Sequence, residues 1–276
     1  MRTILRTLAA ISLAALPAWA EGIAFLSNLK GEVAVDGNAR PILLAELSKG
    51  QKIVLGRDAQ ASVMFVTSGK EYALKGPGEF LVKDNEVAAS LGMPPMTRET
   101  AWRTSGKVLA QAAQTSAASV RMRSIVLPKA DTAPRLIFPT QGNVASLQPT
   151  FRWRTADAKA QGEFVLLVAG QEKPVHTAKA ANGMYRVPAK LLPDTDYIWA
   201  VSVAGDEIGT GRFRTLPADA VAQVEQRRPK DKADFSDRVL FTLMLQEMGA
   251  TQEAQESWSR LAQERSDLPE LSSFAK

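Results

Sequence analysis

The chain carries a single histidine, His176, and no cysteine among its 276 residues. A lone imidazole moves protons usefully only when a second group orients it, and no carboxylate stands at a recognisable spacing from His176. One histidine without cysteine also excludes a Cys/His zinc site, which needs three or four such ligands. Ser27-Asn-Leu-Lys30 and Ser273-Phe-Ala-Lys276 both fit Ser-x-x-Lys, the spacing at which a lysine amine activates a serine hydroxyl. Neither opens a buried helix, and no Lys-Thr-Gly follows. Asp194-Thr-Asp196 offers the first two carboxylates of a calcium loop, but its glycine and closing glutamate are missing. No Gly-x-Ser-x-Gly, His-Glu-x-x-His or phosphate-cradling loop occurs. The expectation is a non-enzymatic protein with no cofactor and no metal.

Aromatic side chains are the remaining candidates for ligand contact. Trp153, Trp199 and Trp258 each sit on the apolar stripe of a periodic segment, so the interior is their expected place. Trp102 has no such stripe. It packs a helix onto the first module or lines a groove.

The elements that position these residues follow an export signal. Arg2 and Arg6 precede an apolar run from Leu8 to Leu16. Pro17 breaks the run before Ala18-Trp19-Ala20, a small-x-small cleavage site. The run is shorter than the ~20 residues of a spanning helix, so the product is expected to begin at Glu21, not to span the membrane after cleavage, and to be periplasmic or secreted, of Gram-negative type. Removing residues 1–20 leaves 256 residues and lowers the formal charge from +5 to +3. That excess is spread along the chain, and its densest run, Arg227-Arg-Pro-Lys-Asp-Lys232, contains proline and acid. No nucleic-acid footprint results. Without disulfides the fold must rest on apolar cores, and its length suits several modules.

Residues 21–92 read as all-β. Leu47-Ser-Lys-Gly50, Ile53-Val-Leu-Gly56, Ala61-Ser-Val-Met-Phe-Val66 and Tyr72-Ala-Leu74 are short strands punctuated by glycine. Gly76-Pro-Gly78 reads as a tight turn in which glycine supplies positive φ, and Met93-Pro-Pro-Met96 stops the sheet. Residues 93–134 are expected to form a linker holding a weak Ala/Gln/Ser-rich helix from Thr97 to about Ser119. Residues 135–217 return to strands: Thr150-Phe-Arg-Trp-Arg154, Glu163 to Val168, Met184 to Val187, Asp196 to Val203 and Gly211 to Thr215 predict a small β-sandwich. A second linker spans 218–234. In 235–276 a helical hairpin is expected, with Ser236 and Thr251 as N-caps, Gly249 as the C-terminal stop, and Val239, Leu243, Trp258 and Leu261 on apolar stripes. The fold class is thus mainly β with a C-terminal α-hairpin.

The glycine cadence of Gly31–Gly92 resembles the FecR-type domain of bacterial cell-envelope proteins. Leu191-Leu-Pro-Asp-Thr-Asp-Tyr-Ile-Trp-Ala-Val201, with Phe151-x-Trp153, resembles fibronectin type III-like domains over about eighty residues. Gly249, Ala254 and Trp258 resemble the glycine, alanine and aromatic positions of one tetratricopeptide repeat, with Thr242 in place of the usual small residue. FecR-type regulators carry a membrane-spanning helix and a cytoplasmic segment before this domain; only a signal peptide is expected before Gly22, so the resemblance implies the module without the iron-signalling circuit. Together the resemblances imply a periplasmic scaffold or adaptor binding another envelope protein, with Val239, Leu243, Trp258, Leu261 and Trp102 as candidate contacts. The alternative is a module for peptidoglycan or another glycan, stacking sugars on exposed aromatics.

Overall fold

The computed structural model describes residues 22–100, 102, 135–157 and 159–275. The cleavage site at Ala18, Ala20 and Glu21, and the helix expected across 103–119, lie outside the described residues. The described chain is mainly β, with antiparallel sheets and a C-terminal group of helices.

Nine strands form the first module: β1 (Ala24–Lys30), β2 (Val33–Val35), β3 (Glu46–Leu47), β4 (Lys52–Leu55), β5 (Gln60–Phe65), β6 (Lys70–Lys75), β7 (Gly78–Val82), β8 (Val87–Leu91) and β9 (Met96–Glu99). They make two sheets, in the orders β3-β1-β5-β6-β9 and β2-β4-β7-β8. Successive side chains of a strand point to opposite faces; accordingly Ile53 and Leu55 of β4 are buried while Lys52 and Val54 are exposed. Phe65 and Leu74 of the first sheet and Phe80 of the second are buried in one continuous core, each contributing roughly 1.5–3 kcal/mol over an exposed position.

Two local expectations are corrected here. The sheet continues past Met93-Pro-Pro-Met96, and the helix expected from Thr97 gives way to β9, paired with β6. The reason is tertiary. Arg98 stands directly opposite Glu71 across that pair, and an opposite-charge pair on neighbouring strands outweighs a weak helical pattern. At Gly76 the backbone does not take positive φ. A Cβ there would lie 2.0 Å from the Gly56 carbonyl oxygen, so close backbone approach is what excludes a side chain.

The second module has two facing sheets. β10 (Arg135–Phe138), β12 (Thr150–Arg154) and β15 (Met184–Arg186) form one, in the order β10-β12-β15. β11 (Asn143–Val144), β13 (Gly162–Val168), β14 (His176–Ala180), β16 (Asp196–Val203) and β17 (Asp206–Thr215) form the other, in the order β11-β17-β16-β13-β14. The pairing of β11 with β17 is parallel. Phe151 and Trp153 of one sheet face Phe164, Tyr197, Trp199 and Phe213 of the other. Phe151 touches Phe164 and Trp199 with ring centroids 4.8 and 5.0 Å apart. The Trp199 indole donates to the Pro139 carbonyl at 2.6 Å, and the Tyr197 hydroxyl accepts the Leu192 N–H at 3.0 Å. Trp153 and Trp199 are therefore interior residues, as their alternation implies.

Four helices follow: α1 (Ala218–Arg227), α2 (Phe235–Glu247), α3 (Thr251–Glu264) and α4 (Leu271–Phe274). The stretch expected as a linker over 218–234 thus contains α1, whose Val224 is buried. Gly249 ends α2 at φ +74°, where a glycine has no Cβ to clash. Ser236 and Thr251 do not act as N-caps: each lies inside its helix, and the caps, Asp234 and Ala250, make no side-chain capping bond to the helix. Ser236 is instead buried and accepts a bond from Arg98 at 3.1 Å.

Residues 239–245 of α2 are buried without interruption. A helix buried all round is an interior helix, and α2 is enclosed by the first module, α1 and α3, with which it shares one continuous core. No helix among the described residues is long and apolar enough to cross a membrane.

Candidate functional site

The five residues expected to contact a partner are all interior. Val239, Leu243, Trp258, Leu261 and Trp102 are between 0% and 8% exposed, so they do not form an outward-facing surface. That expectation assumed a hairpin with one helix–helix contact. The chain supplies more cover: Phe274 of α4 stacks on Trp258 at 4.7 Å between ring centroids, and Arg227 lies over the Trp102 ring at 5.6 Å. The hairpin is pinned to the first module as well, since Arg265 bonds to Asn28 and Glu270 accepts the Leu43 N–H at 2.9 Å.

The other chemical candidates are separated from one another. The Ser27 hydroxyl donates to Glu71 at 2.7 Å within the first module, and Lys30 points to solvent. His176 hydrogen-bonds the Tyr185 hydroxyl and stacks on its ring. Asp194 and Asp196 are bridged by Arg214 at 2.9 and 3.0 Å. Among the described residues no group of three or more His, Asp or Glu side chains gathers as metal ligands would.

A concavity lies elsewhere, between the second module and the helices. It is an open cleft of about 610 Å³. On one side β12 turns Phe151 and Trp153 into the core, which by alternation turns Arg152 outward into the cleft. Arg186 on β15 joins it from an exposed position. On the other side α3 sends Ala254, Trp258 and Leu261 inward, leaving Glu253, Glu256 and Arg260 three and four residues apart along its adjacent face. Arg228, just beyond α1, and Phe241 of α2 complete the wall.

Four arginines and three glutamates line this space, so its charge is positive. Arg152 pairs with Glu256, and Arg260 stands 3.9 Å from the same carboxylate. Arg228 pairs with Glu225 at 2.9 Å. Arg186 has no ion-pair partner among the described residues. Two aromatic faces are covered from within the cleft: Arg152 lies 5.0 Å from the Phe138 centroid and Arg228 5.8 Å from that of Phe241. Glu253 accepts the Ala145 N–H at 2.8 Å. Burial pushes its carboxyl up to about 7 despite that bond and the nearby Arg228 and Arg152, with Glu256 adding repulsion.

Sequence spacing gave no sign of this cleft. Its charged residues are scattered from 152 to 260 on three helices or helix ends and two strands, and each alone reads as a solvated charge. The one signal was the outward position of Arg152 between two inward aromatics. The arrangement can bind anions through guanidinium forks. No protein-family model matches this chain, and no curated protein matches it in sequence.

Proposed function

We propose that the chain is an exported, non-enzymatic scaffold or adaptor of the bacterial cell envelope that binds another envelope protein, built from a FecR-like module, a fibronectin type III-like module and a single tetratricopeptide-like hairpin. The observation that carries this reading is the cleft: a preformed, positively charged concavity between the second module and the helices, lined by four arginines. Supporting the fibronectin-like assignment is the Tyr197 hydroxyl, which bonds back to the Leu192 N–H at the head of its strand, as a tyrosine corner does. The glycan alternative needs exposed aromatic faces on which sugars stack. The large exposed apolar side chains among the described residues are aliphatic or methionine, Leu91, Met93, Met96 and Leu192 foremost, so protein binding is the better supported of the two.

Crosslinking in intact cells separates them. An adaptor is captured with a defined envelope protein and stays in the supernatant when isolated sacculi are pelleted. Pelleting with sacculi, and no protein adduct, defeats the adaptor reading. Export is tested alongside: N-terminal sequencing of the periplasmic form should begin at Glu21, and recovery only as full-length membrane-bound chain contradicts it.

A further inference from the structure

We infer that the cleft between β12 and α3 is the docking site for an acidic peptide segment of the partner, held by Arg152, Arg186, Arg228 and Arg260. This rests on the adaptor reading and names the site and the chemistry of the contact. Three observations converge. The four guanidiniums come from separate elements yet face one space of about 610 Å³, and planar guanidinium forks match carboxylates two bonds at a time. Two of them are held in place before any ligand arrives, because Arg152 and Arg228 rest on Phe138 and Phe241. The remaining two are accessible to a ligand: Arg260, only 3.9 Å from Glu256, has a side chain 80% exposed, and Arg186 has no ion-pair partner among the described residues.

Charge decides the occupant. The chain's own segment 103–134 holds Arg103, Lys107, Arg121, Arg123 and Lys129 against Asp131 alone, so it is repelled by the cleft. Sugar stacking is disfavoured, since the two aromatic faces lining the space already carry guanidiniums. A run of glutamate or aspartate side chains satisfies the excess charge without needing an aromatic platform. On binding, such a run competes with Glu256 for Arg152 and Arg260, an exchange of one carboxylate for another.

Fluorescence anisotropy with labelled hexaglutamate on the purified full chain tests the inference. Binding should be measurable, should weaken with added salt, and should fall about tenfold or more in R186E/R260E. Both residues are exposed, so the melting temperature of that variant should not move. Hexalysine should not bind. The inference is overturned if hexaglutamate does not bind, if R186E/R260E binds it as well as the parent, or if oligogalacturonate binds more tightly, which would assign the cleft to an acidic polysaccharide. Crosslinking in cells keeps the two claims apart. If the parent and R186E/R260E capture the same partner equally, the docking site is wrong and the adaptor reading stands. If the parent captures none, the adaptor reading falls and the inference falls with it.

Discussion

The helices meet the two β modules in opposite ways. Against the first module they share a continuous apolar core, in which Val239, Leu243 and Trp258 lie with Phe25, Leu26 and Phe65. Against the second the contact is mainly hydrogen-bonded, and only Ala145 and Leu216 of that module join the apolar core of the helices. The Asn143 N–H donates to the Gly249 carbonyl at 3.1 Å, its side-chain amide donates to Met248 at 2.8 Å, and Gln252 accepts the Thr140 N–H at 2.7 Å. The core of the second module contains no helical residue. An apolar junction removes area from water and so supplies stability; a hydrogen-bonded junction fixes orientation for little net energy. The first junction makes the helices part of a domain. The second holds a wall at a set distance and leaves the cleft open.

The first junction also has a polar contact anchored in its interior. Glu71 is buried between Ser27 and Arg98, and Arg98 reaches on to Asp237 at 2.8 Å in the first turn of α2. Burial works against the charge of Arg98, but its bonds to Asp237 and Glu71 hold it firmly protonated.

The largest effect should therefore come from deleting residues 235–276. That removes α2, α3 and α4, and with them 13 of the 38 buried residues of the core that the first module shares. The truncated chain should aggregate, or lose cooperative unfolding of the first module, while the second module keeps its own transition by differential scanning calorimetry. Two intact transitions after truncation would mean that the hairpin is a mere appendage and that the junctions are alike. Next in size is Glu71→Ala. The cost stays below that of breaking a fully buried pair, because Arg98 is partly exposed and keeps Asp237 and Asp234, while the buried Ser27 hydroxyl loses its acceptor. Denaturant unfolding should register a loss of about 1–3 kcal/mol; a smaller loss would place this network among surface pairs.

How far the sequence could be read divides along the same line. Strand alternation at Phe151, Trp153, Tyr197 and Trp199, and helical spacing at Val239, Leu243, Trp258 and Leu261, named the interior side chains correctly, because burial on one face leaves a periodic trace. The trace does not tell what covers the face. For α2, where buried positions run unbroken through Thr242, it gave a helix with one stripe and an outward surface, whereas the first module covers the remainder. β9 was hidden because its strongest reason, Arg98 opposite Glu71, lies on another strand. Polar junctions leave no period at all. Arg152, Arg228 and Arg260 are brought together by the packing of whole elements, and Arg228 sits in a run that composition alone assigns to a linker.

The smallest effect distinguishes the junctions by pH. Folding lifts the Glu253 carboxyl from its ordinary 4.5 to about 7, with burial the main cause. The folded chain therefore retains a proton that the unfolded chain has released. Where the native state binds more protons, stability falls as pH rises. Glu253 thus contributes fully below about 4.5, loses its contribution as pH climbs to about 7, and adds nothing beyond. The slope is at most about 1.4 kcal/mol per pH unit, reduced by the cleft's access to water. The groups facing the carboxyl are Arg228 beyond α1, Arg152 on β12, Glu256 on its own helix and the Ala145 N–H. At the first junction Arg98 stays charged throughout. Glu253→Gln keeps an oxygen for the Ala145 N–H and removes the titration. Measured by urea unfolding between pH 5 and pH 8, the parent should lose stability relative to the variant as pH rises, and the gap should stop widening above about pH 7. Parallel profiles across that range would mean that the Glu253 carboxyl sits in water, and that the second junction is wetter than its hydrogen bonds imply.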